Sequence, residues 1–211
     1  MPRPLHERLA ATAAERAALV AAARRLISAA VSADPPAPDL VAATAALEQA
    51  TATLAAHLPS PPLPRYLATP NPDSPNDFFP FDPMMGRSSP LAPPVLISWE
   101  GGKLIGRVRF GTPYEGPPGC VHGGFIAAAF DHVFSVMNVM LGTPGPTASL
   151  ALQYRRPTPL RVPLRVEGWR DRVDGRRIHV RGRLLVADQV TVEADAVFVV
   201  ARDDHSTRPA P

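Results

Sequence analysis

The chain has 211 residues and a formal net charge of +3, with 45% hydrophobic and 19% charged residues. That is a globular composition, long enough for a buried core plus an appendage, and it excludes a largely disordered chain. The charge surplus is too small to mark a nucleic-acid binder and suits anionic small molecules equally well. The single cysteine, Cys120, excludes an internal disulfide and is expected in a reducing, cytoplasmic setting.

Residues 1–58 read as an α-helical hairpin. Leu5, Leu9, Thr12, Arg16, Leu19, Ala23, Leu26 and Ala30 fall at alternating spacings of four and three, which marks one helical face. The run pauses at "ADPPAPD", where proline removes helical hydrogen bonds, and resumes at Leu40, Thr44, Leu47, Thr51, Leu54 and Leu58. The stripe is thin and is expected to pack on the main domain or on a second chain. The N-terminus has no unbroken apolar core and makes a poor secretory signal. Residues 59–94 hold twelve of the 27 prolines, so no regular element is expected there. The segment "FFPFDPMMG" within it is too apolar for a solvated linker and should lie partly across the main domain.

From Val95 the pattern becomes strand-like. "VLISWE" and "KLIGRVRF" flank Gly101-Gly102, a hairpin signal. A long apolar helix is expected from about His122 to Leu141. It is nearly long enough to span a bilayer, but Asp131 at its centre makes it the core helix of a domain without an integral membrane segment. Then come "TASLALQYRR", "LRVPLRVEGWRDRV", "RRIHVRGRLLVA" and "VTVEADAVFVVA", most of them alternating, with turns at Asp174-Gly175 and Asp188-Gln189. The expected domain is α+β and covers residues 95–201: six antiparallel strands wrapped around one central helix, followed by a short tail at 202–211.

The chemistry gathers at "GPPGCVHGG" and the helix it opens. A helix start offers unpaired N–H groups and the positive end of the dipole, and glycine lets a ligand oxygen approach the backbone. Gly123 and Gly124 are thus candidate donors to a phosphate or to the oxyanion of acyl transfer. Asp131 lies nine residues after His122; a lone acid in so apolar a helix is a base, a nucleophile or one half of a structural pair. His122 reads as an orienting group before a catalytic one, and His132 as structural or solvent-facing. Cys120 lacks the surroundings of a cysteine nucleophile, and no His/Cys/Asp spacing matches a metal site.

The run "GPPGCVHGG", the acid nine residues on, "TASLALQYRRPTPL" and "DRVDGRRIHV" together resemble the hotdog-fold acyl-CoA thioesterases, in the branch around the phenylacetate-pathway enzymes. The likeness covers about Val95 to Ala201 and leaves residues 1–58 unexplained. It implies a homodimer (or a dimer of dimers) whose two sheets join edge to edge, with active sites at the interface. It also implies an acyl-CoA substrate split to a free acid and CoA, with no cofactor beyond the coenzyme A of the substrate and no nucleic-acid partner. On this resemblance Gly123 donates its N–H to the thioester carbonyl. Asp131 acts from the partner subunit as base or nucleophile, and Thr147 holds the water or the carboxylate. Ser149 stands in reserve on the same strand face. Several relatives place an amide side chain six residues before the histidine, where this chain has Gly116.

Ten arginines against three acids between Arg155 and Arg183 suit the phosphates of coenzyme A, and the resemblance puts Arg155, Arg156, Arg176 and Arg177 nearest its path. The rival readings are a non-catalytic acyl-CoA-binding regulator and an interaction protein built around the N-terminal helices. Asp131 together with Thr147 favours the hydrolase.

Overall fold

The computed structural model describes residues 5–63 and 74–200; the expected tail at 202–211 lies outside them. Helices α1 (Leu5–Ala10), α2 (Ala13–Ala30), α3 (Ala37–Ala55) and α4 (Pro75–Phe78) precede the strands β1 (Leu96–Glu100) and β2 (Lys103–Val108). Helix α5 (Gly123–Met140) follows, then β3 (Thr147–Tyr154), β4 (Leu164–Asp174), β5 (Arg177–Val186) and β6 (Gln189–Val199). The strands form one antiparallel sheet in the order β1-β2-β4-β5-β6-β3. This is the expected α+β architecture, a sheet wrapped around a central helix. Gln189 belongs to β6, and the turn before it is Ala187-Asp188, with Ala187 at φ 51°.

Helix α5 is held in the sheet by its apolar side chains. Ile126, Phe130, Val133, Phe134 and Met137 are all at most 2% exposed, and each such burial contributes roughly 1.5–3 kcal/mol. The sheet makes room for them by omitting side chains. Gly168 and Gly182 face each other across β4 and β5, and a Cβ on either would meet the Phe134 ring, at 3.0 Å and 2.7 Å. On β2, a Cβ at Gly106 would lie 2.7 Å from Val133. Among the described residues α5 is also the one helix long and apolar enough to cross a membrane, with eight residues of the span buried inside the protein.

The proline-rich segment packs into this core. Met84, Met85, Ala92 and Val95 are buried. Asn76 lies against β1: its Nδ2 donates to the Val95 carbonyl and its Oδ1 accepts from the Ile97 N–H, both at 2.8 Å. One side chain thereby pairs the backbone of an otherwise bare edge. The opposite edge, β3, pairs among the described residues only with β6.

The N-terminal helices depart from the expected stripe. α2 turns Val20 into the protein, with Arg16, Arg24 and Ile27 half-buried beside it, while Leu19 and Leu26 remain exposed. The inward face is one residue, about 100°, round from the leucine face. Arg24 accounts for the difference, since its guanidinium donates to the Ser89 carbonyl at 2.8 Å and to the Gly86 carbonyl at 3.3 Å. α3 has no buried residue.

Candidate active site

The loop before α5 is closely tied. Gly116 N–H donates to the Cys120 carbonyl, Val121 N–H to Thr158 and His122 N–H to Tyr114. A Cβ at Gly116 would lie 2.7 Å from the His122 Cα, so this backbone has no room for a side chain there. His122 is the N-cap of α5, and its Nδ1 accepts the Gly124 N–H at 3.0 Å. The neutral ring therefore carries its proton on Nε2. The Gly124 N–H is thus engaged by the histidine in this structure. The Phe125 and Ile126 N–H groups both reach the His122 carbonyl. Gly123 N–H is left as the first-turn donor with no partner among the described residues, at the positive end of an 18-residue helix.

Tyr154, which the sequence reading did not single out, closes this corner. Its hydroxyl donates to the Gly123 carbonyl at 2.9 Å, and burial pushes its acidity below that of an ordinary phenol. A Cβ at Gly123 would lie 2.9 Å from that hydroxyl. A cavity of about 440 Å³ opens here, lined by Gly123, Cys120, Tyr154, Arg155 and Arg156 among others.

At the other end of the site, Asp131 is half-buried, and its Oδ1 accepts from Thr147 Oγ1 at 2.6 Å. Thr147 faces inward because it pairs with Phe198. Ser149 does not share that face. A bulge between Thr147 and Ser149 sets Ser149 opposite Val197, so the inner row of β3 runs Thr147, Leu150, Leu152, Tyr154. This corrects the expectation of a reserve hydroxyl beside Thr147, which assumed unbroken alternation.

His132 is largely buried, not solvent-facing. Its Nε2 lies 3.4 Å from Asp82 Oδ1, yet has no hydrogen-bond partner among the described residues; that oxygen already accepts the Met84 and Met85 N–H groups. Burial lowers the pKa of the His132 imidazolium more than Asp82 and Asp131 raise it, which favours the neutral ring.

The four expected arginines fall into two pairs at opposite ends of the sheet. Arg155 and Arg156 follow Tyr154, which sits across from Val192, whereas Arg177 pairs with Val199, one row beyond Thr147. Seven strand residues separate the rows, about 23 Å. Arg155 is also engaged by Glu193 at 2.8 Å and by Gln153.

The model of the Thioesterase superfamily matches residues 118–193. A crystal structure described as that of a thioesterase superfamily protein superposes with a TM-score of 0.75 at 34% identity, covering 87% of this chain and 94% of that one. The chain belongs to the thioesterase superfamily. Its fold is accordingly the hotdog fold expected above, with α5 as the filling. Acyl-coenzyme A thioesterase THEM4 of Xenopus laevis is 32% identical over 90 residues, 41% of this chain and 40% of that protein. THEM4 of Mus musculus is 32% identical over 99 residues, 46% and 43% respectively. The chain thus spans less than half the length of these curated relatives.

Proposed function

We propose that the protein hydrolyses acyl-CoA thioesters to a free acid and CoA, in two sites that each draw on two subunits. The observation that carries this is the Asp131–Thr147 pair, 2.6 Å apart, set at a distance from the unpaired Gly123 N–H. The two groups are eight residues apart on one helix, about 12 Å by helical rise, so one carbonyl cannot touch both. They come together if the open edge of β3 pairs with its two-fold mate. An antiparallel pairing lays the Tyr154 end of one strand beside the Thr147 end of the other. Gly123 of one subunit then meets Asp131 of the partner subunit, and Arg155 and Arg156 of one subunit approach Arg176 and Arg177 of the partner subunit.

In that site the thioester oxygen accepts the Gly123 N–H, and the helix dipole stabilises the oxyanion as it forms. The carboxylate, held by Thr147, takes a proton from water that attacks the carbonyl carbon, or itself attacks that carbon, in which case water hydrolyses the acyl anhydride left after CoA departs and restores the carboxylate. The tetrahedral intermediate then expels the CoA thiolate. The arginine pairs hold the phosphates equally in ground and transition states and so act mainly on KM.

Thiol release from an acyl-CoA panel tests the reaction. Asp131→Asn should bind CoA normally and lose about 10²–10⁴ in kcat, the usual worth of a positioned base. Thr147→Ala should lose less. Mixing inactive Asp131→Asn with inactive Gly123→Val tests the sharing. Random reassortment makes half the dimers mixed, each with one intact site, so activity returns to about a quarter of the parent. Asp131→Asn within threefold of the parent would make the pair merely structural.

A further inference from the structure

On the other side of the first turn of α5 lies a second cavity, of about 570 Å³, a size typical of small-molecule sites. Phe125 and Ala128 of α5 form one wall and Tyr114 another. The facing side comes from outside the residues that the family model matches: Ile27 of α2, and Met84 and Leu91 of the proline-rich segment. At its inner end the cavity reaches His122 and Gly124, neighbours of the Gly123 donor.

Among the described residues the lining is almost wholly apolar, and the Nε2–H of His122 at its inner end is the one side-chain donor without a partner there. The Tyr114 hydroxyl donates to the Leu91 carbonyl at 2.8 Å, and the His122 Nδ1 is taken by Gly124. Among the described residues no lysine or arginine lines the space. Arg24, close enough to act electrostatically on Tyr114, spends its NH2 on the Gly86 and Ser89 carbonyls, and its Nε is fully enclosed.

We propose that this cavity receives the acyl group, that the substrates are CoA thioesters of uncharged apolar acids longer than acetate, and that Ile27 limits their length. The inference rests on the thioesterase reading above. A thioester carbonyl at Gly123 has the arginine-lined cavity on one side for CoA and the apolar cavity on the other for the chain. Hydrocarbon entering it gains burial. A terminal carboxylate entering it loses water and meets no lysine or arginine among the described lining residues.

The test compares kcat/KM for acetyl-CoA, decanoyl-CoA and decanedioyl-CoA in the parent, Ile27→Trp and Leu91→Trp. Ile27 is half-buried on a surface helix and Leu91 is 65% exposed, so at least one variant should fold, as circular dichroism would verify. The parent should prefer decanoyl-CoA over decanedioyl-CoA by roughly 100-fold, since binding discriminates strongly where a polar group is left unpaired. A folded tryptophan variant should lower the decanoyl-to-acetyl ratio by about tenfold or more, the scale of lost methylene contacts. An active parent that treats both ten-carbon thioesters alike, or a ratio within twofold of the parent in both variants, overturns the acyl assignment and leaves the hydrolase standing. A parent that releases thiol from none of the three removes the hydrolase reading and this inference with it.

Discussion

His132 is a buried contact between helix α5 and the segment packed outside it. It sits beside the Asp131 position, 3.4 Å from Asp82, and Asp82 in turn holds the Met84 and Met85 N–H groups. Because burial depresses the folded-state pKa, the unfolded chain binds the proton first as pH falls below about 6.5. The unfolded state then carries more protons than the native one, and stability drops with acidification. The groups facing the ring, Asp82 and Asp131, oppose this shift without reversing it. Melting temperatures between pH 7.5 and 5.5 should fall in the parent and fall less in His132→Gln; equal slopes would place the acid sensitivity elsewhere. The contrast with Glu167 is instructive. Burial alone would raise its pKa, but hydrogen bonds from Lys103, Arg165 and Arg183 hold it at about 2, so its contribution survives until far lower pH.

At the scale of elements, the tightest constraint is the glycine notch under Phe134. A methyl at Gly182 would sit 2.5 Å from the Glu167 carbonyl and 2.7 Å from the ring. Gly182→Ala should therefore cost roughly 1–3 kcal/mol in urea unfolding, and Phe134→Leu in the same chain should recover part of it. An unchanged midpoint would mean that β4 and β5 yield freely. Strands and central helix were legible in the sequence because hydrophobic period and turn residues report local geometry, as at Gly101-Gly102. The α2 face was not legible: its leucines outvote Val20 and Ile27 by hydrophobicity, and the deciding contact is Arg24 to carbonyls more than 60 residues away. The bulge beside Thr147 escaped for a related reason, since it is visible only in the pairing with β6. Tyr154 was present in the motif, but its hydroxyl acquires a role only when β3 lies beside the helix start.

The whole molecule is asymmetric in its edges. Asn76 hydrogen-bonds the outer side of β1, while among the described residues β3 pairs only with β6. If the sheet continues into a second chain, β3 is the edge that the two-subunit site proposed above requires. Helix α5 adds a kinetic consequence, because it bears Gly123 at its tip and Asp131 about 12 Å along. If neither group completes a site without the other subunit, the number of working sites follows the number of pairs. On dilution below the dissociation constant of the pair, the rate should scale with the square of total protein, where a self-sufficient chain would keep a linear dependence. A dilution series of thiol release, read beside sedimentation over the same range, would show specific activity and sedimentation coefficient falling together.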